Sequence, residues 1–307
     1  MKIKTGLNDL LWMAAGAAVL LICLVIVFHF YNDQDAATQL ARKIQRADRA
    51  GRMQLDLASA AEAEKSAVLA PTDEDSQLFA DQARAATARV EQERQELSKL
   101  LPPNGSGREP ELLAQFAIAF AEFQRIDNEL LALAVRNTNL KASGLAFGPA
   151  ATALKAMDGA LARLPADDAQ ALRFATNARI AAWRLLTLIP PHIAEEDDNK
   201  EDALEALMAT EDAQVQKNLA DLAALPKFNN DPDLTSATAR YAEFSKIKTR
   251  ILTLSRENTN VRSLSISLNQ KRKVMLVCQE VLGALQQAIQ AEPIAGTSYG
   301  TAPVRPR

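Results

Sequence analysis

Cysteine and histidine are nearly absent from this 307-residue chain, at two of each. Cys23 and Cys278 cannot form a disulfide framework, and His29 and His192 give no second imidazole for a zinc site, so disulfide-rich and metalloenzyme classes are excluded by counting. Aromatics make up only 5% of the residues, and glycine and proline number 11 and 13. That is too little of either for a fibrous or disordered chain. A net charge of −3 supplies no basic surface, so nucleic acid is not an expected partner. No glycine-rich phosphate loop, nucleophile elbow or His-supported nucleophile occurs, and we expect neither an enzyme nor a bound cofactor.

What the chain has instead is one long apolar run and a great deal of helix former. Leu10 to Tyr31 reads LLWMAAGAAVLLICLVIVFHFY without a charge, enough to cross a hydrocarbon layer of roughly 30 Å at ~1.5 Å per residue. Trp12 and Tyr31 suit the interfacial aromatic belt, with His29 beside them at the interface. The run exceeds a signal-peptide core and is followed by bulky Phe30-Tyr31-Asn32-Asp33, so a retained single-pass anchor is expected rather than a cleaved leader. Lys2 and Lys4 precede the anchor, whereas Asp33 and Asp35 follow it. Arg42, Lys43, Arg46 and Arg49 also follow within the counted window, so the basic residues alone do not choose. The acidic pair directly after the anchor favours a short cytoplasmic segment at 1–9 and an extracytoplasmic body over the reversed topology of a cytoplasmic adaptor.

From Asn32 onward no sustained period-2 alternation appears, and the fold class is all-α. Breaks at Ala70-Pro71-Thr72-Asp73, Leu101-Pro102-Pro103, Leu164-Pro165, Ile189-Pro190-Pro191 and Leu225-Pro226 to Asp231-Pro232 divide it. Six helices are predicted, at about 33–70, 73–101, 110–163, 167–189, 196–224 and 233–290. Thr72 or Asp73 is placed to cap the second helix, and Gly144, Gly148 and Pro149 to kink the third. The tail, 292–307, has little to bury and is expected to be disordered.

An internal repeat organises these helices. FAEFQRIDNELLALAVRNTN at 120–139 aligns without a gap to YAEFSKIKTRILTLSRENTN at 241–260, sharing Glu122/Glu243, Phe123/Phe244, Ile126/Ile247, Leu131/Leu252 and a whole Asn-Thr-Asn triplet. With Ala70-Pro71 matched to Ile189-Pro190, the body 32–291 reads as two halves, about 33–163 and 167–290. Each long helix would reach roughly 80 Å, twice the span of its neighbours. The expected architecture is two stacked, pseudo-symmetric four-helix bundles sharing the long helices; two independent tandem bundles are the rival. The triplets fall on seams (Leu130, Leu133, Asn137, Leu140, Phe147; Leu254, Asn258, Val261, Ser265, Leu268), putting Asn137 and Asn258 at core positions. There they either fix register by pairing with each other or line a polar cavity with Arg136 or Arg262 beside an anionic solute.

An anchor followed by two stacked helical bundles resembles the helical bimodular, four-helix-bundle sensor domains of methyl-accepting chemotaxis proteins and sensor histidine kinases. Ala50-Gly51-Arg52-Met53-Gln54 is similar to the Ala-Gly-Arg run in the first helix of pilus-type and nitrate-type receptors, and Asn177-Ala178-Arg179-Ile180 looks like its counterpart. The resemblance implies a periplasmic domain on a bacterial inner membrane, often a homodimer, that binds a small organic acid or similar solute between helices, with Arg52 and Arg179 as anion contacts. The alternative for both is an ordinary solvated or ion-paired arginine. Chemoreceptors continue into a second membrane helix and a signalling hairpin. Here 274–289 carries Gln279, Glu280 and Gln286-Gln287 and reads as a bundle segment, so a signal is expected to pass through the anchor or an unknown membrane partner.

The remaining groups read as structural. Glu195-Glu196-Asp197-Asp198 and Glu201-Asp202 suit a helix N-terminus, Lys271-Arg272-Lys273 a solvated face, and Trp183 and Cys278 the core. The function expected is a sensor module; the alternative is an envelope scaffold without a small-molecule ligand.

Overall fold

The computed structural model describes the backbone of residues 7–101, 107–165 and 167–293, and the side chains of these except 7–19 and 25–35. Every regular element among the described residues is helical. In order these are α1 (Leu7–Leu69), α2 (Asp73–Leu100), α3 (Arg108–Ala134), α4 (Thr138–Leu145), a π segment (Ala146–Ala150), α5 (Ala151–Ala162), α6 (Ala169–Ala194) and α7 (Asp198–Ala223). A 3₁₀ turn (Pro226–Phe228), α8 (Pro232–Glu257), α9 (Thr259–Ile266), a second π segment (Ser267–Lys271) and α10 (Arg272–Ala291) complete the chain. The expected loop at 102–106, the tail from 294 and the segment 1–6 lie outside the described residues.

The membrane anchor was expected over 10–31, where the backbone is part of α1 and only the side chains of 20–24 are described. Among the described residues no helix is long and apolar enough to cross a membrane.

Two compact units are present. One comprises residues 1–58, 86–120 and 276–307. Its helical stretches bury Met53 and Leu57, Val90 and Leu97, Phe116 and Phe120, and Leu282 and Leu285, the spacing of apolar stripes on helices that face one another. Phe116 and Phe120, one turn apart on α3, stack at 5.3 Å. Ion pairs connect the helices: Arg49 with Glu93 at 2.6 Å, Arg89 with Asp56 at 2.7 Å, and Arg46 with both Glu109 and Glu292. The other unit comprises residues 59–85 and 121–275. Its apolar core runs through α4 to α8 and includes Leu154, Met157, Leu185, Val215, Phe228 and Phe244. A smaller cluster joins Ala67, Val68, Ala80, Ala83, Leu130, Leu131 and Ala134.

Local chemistry accounts for most helix ends. Thr72 accepts from the Asp75 N–H and donates to its carboxylate, while Asp168, Asp197 and Asp231 each accept from N–H groups of the turn they begin, relieving donors that a helix start leaves free. Two expectations fail here. Pro190 and Pro191 do not end a helix, because α6 continues through them to Ala194. Tertiary bonding outweighs the lost backbone donors: the Ser255 hydroxyl donates to the His192 carbonyl at 3.1 Å, and Ile189, His192 and Ile193 are buried. The counterpart of the turn after α1 is therefore 195–197, and not Ile189-Pro190.

The long helices are also not continuous. Asn137 and Asn258 are left-handed, both with φ of 51°, a conformation asparagine tolerates better than most residues. Each ends one helix and starts the next. The kink expected near Gly144–Pro149 takes the form of a π segment, and another occurs 121 residues later. Each inserted residue turns the following side chains by ~100°. Together with the left-handed breaks that precede them, these turns disrupt the predicted seams, and Leu140, just after Asn137, and Phe147 and Leu268, within the π segments, are exposed.

Candidate functional site

The site is assembled around the two triplets. The Thr138 N–H donates to Thr259 Oγ1 and the Thr259 N–H to Thr138 Oγ1, both at 3.2 Å. The Asn139 and Asn260 N–H groups donate to each other's side-chain carbonyl at 3.1 Å. Asn139 Nδ2 reaches Asn258 Oδ1 at 2.7 Å, and Asn260 Nδ2 reaches Asn137 Oδ1 at 2.9 Å. Every one of these bonds has its mirror in the other half. The helix breaks make this possible, because a left-handed residue frees the N–H groups of the turn that follows it. The two triplets do pair through their amides, but Asn137 bonds Asn260 and Asn258 bonds Asn139 rather than each other. Both asparagines are buried as expected, and neither lines the cavity that Arg136 and Arg262 share.

Outer bonds tie this knot to the neighbouring turns. Asn137 Nδ2 donates to the Thr72 carbonyl and to Asp73 at 3.1 Å, and Asn258 Nδ2 to the Glu195 carbonyl at 2.5 Å. Buried Ser76 donates toward the terminal carbonyls of α1 and α3, at Ala67 and Ala134. Lys141 pairs with Asp73 at 2.7 Å, and that bond holds the Asp73 carboxyl below the usual carboxylate range.

Arg136 and Arg262 lie beside the knot and line one cavity of about 720 Å³ with Glu129, Leu133, Glu196 and Ser265. Ala132, Ile266 and Gln270 complete its wall. Arg136 pairs with Glu257 at 2.5 Å; Arg262 is exposed and forms no ion pair among the described residues. Two guanidinium groups, a hydroxyl and an amide can hold a carboxylate, and the two glutamates can meet an ammonium. Leu133 and Ile266 offer room for a short alkyl portion.

The other predicted arginines lie elsewhere. Arg179 grips Asp158 through Nε at 2.6 Å, which lowers the Asp158 pKa and raises its own. They line a separate groove of about 580 Å³ with Trp183 and Arg184. Trp183 is not a core residue: it is 39% exposed, and its Nε1–H points to Asp158 at 3.4 Å. Arg52 is an exposed arginine paired with Asp48 at 2.9 Å.

The acidic stretch is largely structural. Asp197 caps α7, while Arg256 holds Glu205 at 2.7 Å, Glu201 at 3.2 Å and Asp202. Fully buried His192 bridges Ser255 at 2.8 Å and Glu205 at 2.9 Å. Sequence reasoning missed this His192 cluster, and it mistook Lys271, which is buried at 2% exposure rather than solvated. A helical-wheel count corrected for the extra residue of the π segment would have turned Lys271 inward. Cys278 is buried as expected, and burial pushes its thiol up to about 12.

No family model matches the chain, nor does any curated protein. Among solved structures the fold is similar to that of an all-helical sensor domain. The match is the sensor domain of the V. parahaemolyticus histidine kinase sensor TorS, at a TM-score of 0.52 and 9% identity, covering 82% of this chain and 97% of that one. At that identity the likeness is one of fold.

Proposed function

We propose that this chain is a helical sensor module, held in a bacterial inner membrane by residues 10–31, that binds a small anionic or zwitterionic solute and signals through a membrane partner. The observation that carries the reading is the cavity in which Arg136 and Arg262, from the two halves of the repeat, converge beside a polar knot. The sensor-domain fold of the TorS match supports it. Leu20, Leu21, Ile22 and Leu24 support the anchor, since all four are exposed on a helix and apolar side chains so placed need a lipid or protein cover. In this reading the helical body is extracytoplasmic, it works as a homodimer in the manner of chemoreceptor and kinase sensors, and it catalyses no reaction of its own.

The test is thermal unfolding of the full chain in detergent micelles against carboxylates, amino acids, amines and inorganic anions. A solute at 100 times its Kd stabilises the folded chain by roughly 2.7 kcal/mol. The expected shift disappears in Arg262→Ala and survives in Arg52→Ala and Arg179→Ala. A panel without any shift favours a scaffold, a reading to which the apolar core of α4 to α8 is suited.

A further inference from the structure

A cluster of three buried charged side chains stands apart from the residues that line the cavity. Glu64 of α1, Asp127 of α3 and Lys271 at the end of the second π segment are each 2% exposed. Lys271 Nζ bonds Asp127, stands 3.5 Å from Glu64 and lies 4.4 Å from the centre of the Phe123 ring. Two carboxylates and one ammonium in an apolar interior leave one negative charge without a counterion. Desolvation of an unpaired charge is far more expensive than that of a neutral acid. The side chain that bears this excess is identifiable: Glu64 Oε1 is buried and has no hydrogen-bond partner. Burial, in excess of the attraction of Lys271, pushes the Glu64 carboxyl above the usual carboxylate range, Asp127 pushes the same way, and a bond from Ser267 opposes them. The charged groups that act on the Glu64 carboxyl are Lys271 and Asp127, and α2 contributes Ala80 and Ala83 to the neighbouring apolar cluster.

Lys271 and Ser267 are the two ends of the π segment, and Gln270 between them lines the arginine cavity. A π turn is one residue wider than the regular helix on either side of it, so reverting it to a regular turn would rotate Lys271 by ~100° about the helix axis. With Glu64 neutral, Lys271 is free to serve Asp127 alone. With Glu64 ionised, both carboxylates compete for one ammonium.

We propose that Glu64, with Asp127 and Lys271, is a proton-binding site whose occupancy switches the arrangement of Ser267–Lys271. This goes beyond the solute-binding reading and stands whether or not the cavity takes a solute.

The test uses the full chain in micelles with Cys23→Ser and Gln270→Cys, labelled with a polarity-sensitive dye that does not itself titrate. Buried Cys278 stays unlabelled. Between pH 5 and 9 the emission should follow a one-proton curve with its midpoint above that of an ordinary glutamate, and Glu64→Gln should flatten it. A raised folded-state pKa gives stability that is complete at low pH and lost as pH rises through that midpoint. Tm should therefore fall by roughly 2–4 °C across the transition relative to Glu64→Gln. Asp127→Asn, which keeps Glu64 and removes the like charge, should move the midpoint to lower pH. Retention of the curve in Glu64→Gln, or an unmoved midpoint in Asp127→Asn, overturns the proposal. A Tm difference without any change in emission also overturns it, because the proton would then bind without switching the segment.

Discussion

The two π segments, Ala146–Ala150 and Ser267–Lys271, share a backbone and almost nothing else. In the first, Pro149 removes a helical donor, which is reason enough for the regular ladder to fail there. Its buried residues, Ala146 and Ala150, join an apolar core with Ala142 and Leu154. The second has no proline, and its buried residues are Ser267 and Lys271, one a hydroxyl and the other a charge. Position 150 and position 271 correspond in the repeat, so an alanine in one half stands where a buried ammonium stands in the other. Asp127 and Lys248 correspond as well, and Lys248 finds its own partner in Asp212 at 3.2 Å. An irregular turn has thus been kept in both halves by different chemistry. In one it is a packing feature, and in the other the place where charge enters the interior.

The sharpest way to break this comparison is Lys271→Ala. It leaves Glu64 and Asp127 buried without a cation, and urea unfolding should register a loss of about 3–5 kcal/mol. A loss near that of an exposed lysine would mean that the two segments are equivalent after all. The knot supplies the symmetric control. Thr138→Val and Thr259→Val each keep the side-chain volume and strand a buried backbone N–H, and each should cost about 1–3 kcal/mol, equally in the two halves. The double variant should cost less than the sum, because the two hydroxyls also face each other at 3.2 Å and share one network. The smallest effect is expected from Pro149→Ala. Restoring the donor should change stability by no more than about 1 kcal/mol, with helical content by circular dichroism unchanged and amide exchange showing protection appearing at position 149.

Much of this architecture is legible in the sequence. The gapless triplet repeat announced the pairing of Asn137–Asn139 with Asn258–Asn260, and the pairing of like residues at a 121-residue offset follows from duplication alone. Gly148 and Pro149 marked the first irregular turn. Arg136 and Arg262 were readable as cavity residues because each sits one or a few positions from a triplet. The second irregular turn was hidden, since no proline or glycine marks it, and with it the inward rotation of Lys271. A left-handed asparagine has no neighbour pattern of its own, so the long helices read as unbroken. Pro190-Pro191 looked like a stop because the bonds that hold the last turn of α6, through His192 and Ser255, come from a helix some sixty residues on, at a separation of 63. Trp183 went wrong for the opposite reason: large aromatics are usually core, and this one is held at the surface by Asp158.

The knot also has a history within each molecule's lifetime. Its central bonds join residues 121 apart, and a chain emerging from the ribosome folds its early portions before the later ones exist. Asn137, Thr138 and Asn139 are therefore presented to the solvent with their donors free until Asn258–Asn260 has been made. The best mimic available to them in that interval is the same triplet on a neighbouring nascent chain. Exchange between chains during synthesis is thus a hazard that the reciprocity of the knot builds in, and it lasts only until the second half of the same chain closes on the first.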